Sequence, residues 1–399
     1  MNNRRNLIIL FLTLVIMMLG FGIIIPILPD MVVGLGGGGI AMGLLMAIYS
    51  AMQFLFSPMW GTLSDRFGRK PILMIGVFGN GITMLFLGLS TQLWMMFTAR
   101  ALAGVLSSAT LPTAMAYISD STDEKSRGGG MGVVGAAMGL GMVLGPGVGG
   151  LMSNISLQAP FILATVLSLL AMVAIWIFLP ESLGVEKRDR SIKLSGPQLS
   201  AMWDALSGPI AFLFIAAFMI SFAMTNFEGI YAYYALERYA YDPHTIGIIL
   251  TAVGLVSALA QGALTGIATR RFGEVNVVKA SLIASAAGFL LMLTANTLTT
   301  VILTTSLFVL GNAMLRPAVS SLISQRTTQG QGIAMGLNNA YMSLGRVIGP
   351  LWAGAIIDIH ISFPFITGAI IMLIGFFASL VYLRAETPSK TEPAMEATD

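Results

Sequence analysis

From Leu7 to Leu28 the chain carries no charged residue and only one hydroxyl, Thr13. At about 1.5 Å of helical rise per residue, such a run matches the roughly 30 Å hydrocarbon core of a bilayer. Eleven further long apolar runs follow, so twelve segments are expected, at 7–28, 40–60, 72–90, 93–118, 129–153, 158–180, 209–234, 243–268, 277–296, 299–324, 332–356 and 361–383. The first is too long for the apolar core of a signal peptide and no small-residue cleavage site follows it, so it reads as a spanning segment. Lipid offers no partners to free backbone N–H and C=O groups, which makes each span a helix. The expectation is an all-α polytopic membrane protein of twelve transmembrane helices.

Composition agrees. The chain is 56% hydrophobic and 10% charged, against about 25% charged in a soluble domain. Its 45 glycines allow helices to approach closely in lipid, and its 27 methionines are adaptable apolar filler. The absence of cysteine excludes disulfides, thiolate metal sites and cysteine nucleophiles. The two histidines, His244 and His360, fall in expected loops, so no metal site is expected. No Gly-x-x-x-x-Gly-Lys-Ser/Thr string is present, so energy should come from an ion gradient and not from ATP, with no cofactor. The chain is not expected to be an enzyme or to bind nucleic acid.

Basic residues orient the chain. With a cytoplasmic N-terminus, 17 of the 21 Lys and Arg lie in cytoplasmic loops or tails, Arg238 alone lies outside, and Arg100, Arg316 and Arg346 lie within spans. Both termini are therefore expected in the cytoplasm, in the cytoplasmic (inner) membrane. The longest internal polar stretch, "PESLGVEKRDRSIKLSGPQLS" (Pro180–Ser200), separates spans 6 and 7. It divides the chain into an N-terminal six-helix bundle (1–182), a flexible cytoplasmic linker (183–208), a C-terminal six-helix bundle (209–385) and a tail (386–399).

The halves are repeats. "MGVVGAAMGLGMVLGPGVGG" (Met131–Gly150) aligns without gaps to "MGLNNAYMSLGRVIGPLWAG" (Met335–Gly354), pairing Gly141, Gly145, Pro146 and Gly150 with Gly345, Gly349, Pro350 and Gly354. Two bundles in the same orientation imply an axis along the membrane normal and a binding site between them near mid-membrane. The glycines clear one helix face and the proline frees a carbonyl. The result is either a bend that slides against the facing bundle or a plain small-residue packing seam.

In "GTLSDRFGRK", with its Gly61 and Gly68, a short loop carries Asp65, Arg66, Arg69 and Lys70, which either pair and hold one state of the bundle or only set the topology as a basic cytoplasmic loop. This string resembles the signature loop between helices 2 and 3 of the major facilitator superfamily. "LGFGIIIPILP", "ARALAGVLSSATLP" and "GMVLGPGVGG" are similar to the helix 1, helix 4 and helix 5 motifs of its 12-helix drug:proton antiporters, the group of NorA-type multidrug and tetracycline exporters. The resemblance implies a proton-relay role for Arg100 and a conformational pairing of Asp120 with Arg127. From the residues alone, Arg100 either faces a cavity or snorkels to the nearer interface, and Arg346 either serves the site or packs beside Gly345.

Of 18 acids, Glu228 alone lies well inside a span, in "NFEGIYAYY". There it would bind protons and attract a cation, with Phe227, Tyr231 and Tyr234 offering ring faces and Tyr231 on its helix face. The other reading pairs it structurally with Arg316 or places it near the outer interface. NorA-type relatives keep a second acid in helix 10, where this chain has Ala313 beside Asn312; tetracycline exporters keep one in helix 1, where it has Met17. The leading expectation is a monomeric proton-coupled exporter of amphipathic, often cationic drugs. Glu228, Arg100 and Arg316 would couple protons, and Phe227, Glu228, Tyr231, Tyr234 and Asn312 would bind substrate. The alternatives are a narrow exporter of tetracycline type, a solute uptake carrier, and a non-transporting receptor or scramblase.

Overall fold

The computed structural model describes residues 3–122, 124–184, 186, 188, 199–327 and 330–383. Among them, twelve helices are long and apolar enough to cross a membrane, and there is no strand. They are α1 (Arg4–Ile24), α2 (Gly39–Phe67), α3 (Arg69–Gly88), α4 (Leu93–Ser121), α5 (Gly128–Ser153), α6 (Ala159–Phe178), α7 (Ala211–Tyr239), α8 (Pro243–Phe272), α9 (Glu274–Met292), α10 (Leu298–Arg326), α11 (Gln331–Ile357) and α12 (Phe363–Tyr382). An even number of spans returns both chain ends to one side, called here the terminal end; the other is the distal end.

Several helices outrun the apolar blocks that announced them. α7 continues to Tyr239 and stops at Ala240, a left-handed residue (φ 53°) whose N–H donates to the Leu236 carbonyl while the Tyr241 N–H donates to that of Ala235. Glu228 therefore lies about three turns inside the helix end, and Arg238 belongs to the last turn of α7 instead of an outer loop. α4 breaks at Ser108–Ala109, because Pro112 has no N–H for the Ser108 carbonyl. α8 carries a π-turn at Ala260–Leu264, where the Thr265 hydroxyl bonds the Ala260 carbonyl at 2.7 Å. Within the segment expected to be a flexible linker, Leu199–Ala205 is helical and packed. Met202 is buried and its carbonyl accepts from the Tyr341 hydroxyl of α11.

The repeat seen in sequence is repeated in packing. α1 lies on α5 and α7 on α11 within the halves; α2 lies on α11 and α5 on α8 between them. Both cross-half seams use glycines 204 positions apart. A Cβ at Gly43 would stand 2.3 Å from the Pro350 carbonyl, and one at Gly247 would stand 2.5 Å from the Pro146 carbonyl. Gly354 meets Gly39 and Gly43, and Gly150 meets Pro243 and Gly247. All these contacts are in the distal part. Toward the terminal end the helices diverge: a Cβ at Gly132, Gly135, Gly266, Gly332 or Gly336 would meet nothing within 4 Å. The two halves are closed together distally and open a cleft toward the terminal end.

Candidate functional site

One wall of the cleft is built on α7, α10 and α11. Glycines let α7 and α11 touch: a Cβ at Gly345 would fall 2.6 Å from the Phe218 carbonyl, and one at Gly349 would fall 2.7 Å from the Phe222 carbonyl. The Ser221 hydroxyl donates to the Met342 carbonyl (2.7 Å) and that of Thr225 to the Gly345 carbonyl (3.0 Å), fixing the rotation of α7. In that rotation Glu228 is half-buried. Arg316 of α10, which is exposed, and the half-buried Arg346 of α11 are the basic groups that act on its charge. Among the described residues no ion pair within 4.0 Å involves Glu228, so it is not locked to Arg316. The Arg346 guanidinium donates to Ser343 Oγ at 2.6 Å. One carboxylate thus faces two guanidinium groups.

The aromatic neighbours of Glu228 lie elsewhere than expected. Phe227, Tyr231 and Tyr234 are 2%, 1% and 1% exposed, too little to offer a ring face to the cleft. Phe227 packs on Phe308 (5.2 Å) and Tyr231 (4.7 Å), and Tyr234 on Phe365 (4.4 Å), inside the C-terminal half. Asn312 is also buried, donating to the Ile220 carbonyl at 3.2 Å. In this conformation these four residues hold the half together, and only Glu228 of the expected substrate contacts reaches the cleft.

Behind the facing wall lies Arg100 of α4. It is 1% exposed, so in this conformation it neither snorkels to an interface nor reaches the cleft. Its Nε donates to the Leu45 carbonyl (3.1 Å) and an Nη to the Met46 sulfur (3.4 Å). The guanidinium lies 4.4 Å from the Tyr49 ring centre and 6.0 Å from that of Phe21. Tyr49 is held by hydroxyl contacts with Ser107 (3.3 Å) and Gln53 (3.3 Å). Tyr49 also acts electrostatically on Arg346 of the opposite wall. The sequence offered no signal for Tyr49 or Phe21, because an aromatic residue in a lipid-spanning helix is unremarkable wherever it points.

At the terminal end the expected loop is helical except at Gly68, with Asp65 and Arg66 in the last turn of α2 and Arg69 and Lys70 in the first turn of α3. Arg69 gathers the junction. It pairs with Asp65 (2.5 Å) and Asp120 (2.9 Å) and donates to Ser64 Oγ (2.7 Å). Asp120 therefore serves Arg69; the side chain of Arg127, its expected partner, lies outside the described residues. Gly68 has φ 109°, a conformation that favours glycine. Arg66 lies against the Phe67 ring, and Gly61 faces open space. Glu181, which the sequence reading passed over, accepts from the backbone N–H groups of Arg69 (2.8 Å) and Lys70 (3.2 Å) and so caps α3. In α5, Gly141 is pressed on Val15 and Met18 of α1, and Gly145 on Gly22. Pro146 and Pro350 sit at the distal cross-half seams.

Two acids near the distal end are coupled electrostatically. Asp242 caps α8 by accepting from Thr245 N–H at 3.0 Å, and hydrogen bonding from the Thr245 side chain, with this N–H, holds its pKa below the usual value. Asp30, in the short helix Leu28–Gly34, is pushed above the usual carboxylate value by burial, with the Asp242 charge adding to the shift. Its Oδ2 is buried without a partner. Among the described residues no group of three or more His, Cys, Asp or Glu is placed to hold a metal.

The profile of the Major Facilitator Superfamily matches residues 10–226 and again 213–398, one copy per half. The chain is 29% identical over 385 residues to Multidrug resistance protein 2 of Bacillus subtilis (strain 168), covering 96% of both. It is 28% identical over 380 residues to Quinolone resistance protein NorA of Staphylococcus aureus (strain COL), covering 95% of this chain and 96% of that one. Among solved structures it is similar to the human organic anion transporter MFSD10 (TETRAN), with a TM-score of 0.70, 25% identity and coverage of 95% and 100%. The nucleoside transporter NupG shares the fold at a TM-score of 0.76 and 16% identity, covering 97% and 100%.

Proposed function

This chain belongs to the major facilitator superfamily and is a membrane transporter, and from that premise we propose that it is a proton-coupled exporter of amphipathic drugs. The carrying observation is Glu228: one titratable carboxylate, unclamped, in a cleft wall with two guanidinium groups in electrostatic reach. Relatives named for multidrug and quinolone resistance, aligned over nearly the whole chain, support the substrate class.

The terminal end, rich in Lys and Arg, is the cytoplasmic side, so the open cleft receives substrate from the cytoplasm or inner leaflet. Substrate and proton compete at Glu228. Protonation after the halves rock open distally releases the drug, and loss of the proton to the cytoplasm resets the site. The energy source is the proton gradient, and the working unit is a monomer in the cytoplasmic membrane. Arg100, stacked on Tyr49, shapes the facing wall, and Arg316 and Arg346 set the field in which Glu228 exchanges its proton.

The charge balance favours a second reading of the substrate. Two arginines oppose a single glutamate in the cleft, so compounds carrying a carboxylate beside an aromatic body fit better than simple lipophilic cations. The relative solved as an organic anion transporter is in keeping with this. Everted vesicles energised with a pH gradient decide between them. Lipophilic cation dyes and amphipathic carboxylates are offered in parallel: gradient-dependent uptake of the dyes supports the first reading, and gradient-dependent uptake of the carboxylates alone supports the second. Transport that persists without the gradient contradicts proton coupling.

A further inference from the structure

The distal seams are related by the repeat but are not closed in the same way. α8 is capped from within its own half: Asp242, immediately before Pro243, accepts from Thr245 N–H at 3.0 Å. The position 204 residues earlier is Gly38, which precedes α2 and has no side chain to cap it. The cap of α2 comes instead from the other half. Asp358, at the end of α11, accepts from Gly39 N–H at 2.8 Å through Oδ1 and from Ile40 N–H at 3.1 Å through Oδ2. The residue matching Asp358 at the other seam is the uncharged Asn154.

The glycine run before α2 makes this possible. A Cβ at Gly39 would stand 2.7 Å from Asp358 Oδ1 and 2.1 Å from a methyl of Ile357, and the tip of α2 could not then be seated on α11. A helix start exposes N–H groups that need acceptors and carries partial positive charge, which a carboxylate satisfies on both counts. When α2 and α11 separate, these two hydrogen bonds break; the cap of α8 survives separation of α5 and α8 intact.

We propose that Asp358 is a one-sided latch, a carboxylate on the C-terminal half that closes the distal end by capping a helix of the N-terminal half. The α2–α11 seam is then the gated side of the distal opening and the α5–α8 seam its hinge. The latch rests on the alternating-access reading, but its test needs no substrate, so its failure is separate from a failure of drug transport.

The natural chain has no cysteine, so spin-label pairs can be placed cleanly on exposed residues. Leu44→Cys with Ile359→Cys reports the α2–α11 seam, and Ile155→Cys with Ile248→Cys reports the α5–α8 seam. Asp358→Ala should raise the distally open population about threefold to tenfold, the loss of hydrogen bonds to an exposed charge, with the larger distance change in the α2–α11 pair. Gly38→Asp combined with Asp358→Ala separates a latch from a mere helix cap. Gly38 has extended backbone (φ −119°, ψ −158°) that aspartate adopts, and its Cβ would meet only the removed carboxylate. This double variant regains the α2 cap within one half and should recover thermal stability while staying distally open. Unchanged distances in Asp358→Ala, or full reclosure in the double variant, overturn the latch.

Discussion

The Arg100 guanidinium lies 4.4 Å from the centre of the Tyr49 ring, and among the described residues no carboxylate pairs with it. A buried arginine without an acid is held by dipoles and a ring face. Such a stack is worth about 2 kcal/mol when desolvated. Tyr49→Phe keeps the face and should retain most transport, whereas Tyr49→Leu should lower it by about tenfold or more. Arg100→Lys should behave like the leucine variant, because an ammonium cannot both stack flat and keep two directed hydrogen bonds. Initial rates of dye efflux from vesicles containing equal amounts of each variant measure this.

A methyl group at Gly247 would stand 2.5 Å from the Pro146 carbonyl. Gly247→Ala should therefore hold the α5–α8 seam apart and reduce transport, while Gly266→Ala, where the space is open, should leave it unchanged. Accessibility of a cysteine placed near Ser153 to a membrane-impermeant thiol reagent reports the opening. Equal labelling in both variants and the parent chain would contradict the seam's role.

Arg69 joins two acids, Asp65 and Asp120. Removing it strands both, so Arg69→Ala should destabilise this junction by about 2 kcal/mol. Asp65→Asn, at a half-exposed carboxylate, should do much less. Thermal unfolding in detergent of the two variants side by side checks the ranking.

Asp30 titrates above an ordinary carboxylate because it is buried and feels the charge of Asp242. A pKa raised in the distally closed form means that this form binds the proton more tightly than a form in which Asp30 is solvated. Closure should therefore strengthen on acidification and weaken as pH rises through the raised value. Asp30→Asn should remove that dependence and stay closed at high pH. Distance measurements across α5 and α8 as a function of pH test the sign, and opening on acidification would refute it.

Much of this was legible because lipid leaves a chain few choices. Twelve apolar runs became twelve helices, and the glycines and prolines of α5 and α11 marked the seams between and within halves. Glu228 stood out as an acid among apolar residues, and the structure places it in the cleft. What stayed hidden was direction and distance. In a membrane helix both faces are apolar, so nothing in "NFEGIYAYY" tells which rings turn inward, and Phe227, Tyr231 and Tyr234 turned into the half's own core. Tyr49 under Arg100, Asp120 on Arg69 and Asp358 on α2 join residues far apart in the chain, and local patterns carry no record of such pairings. Asp358 caps a helix that belongs to the other half.

The central claim is that Glu228 exchanges a proton for the substrate. Glu228→Gln keeps the size and polarity of the side chain but cannot lose a proton. In proteoliposomes with the purified chain, an imposed pH gradient should drive substrate movement with matching proton counterflow in the parent. Glu228→Gln should abolish both fluxes while retaining substrate binding that no longer changes with pH. Gradient-driven transport by Glu228→Gln at the parent's rate would contradict the account.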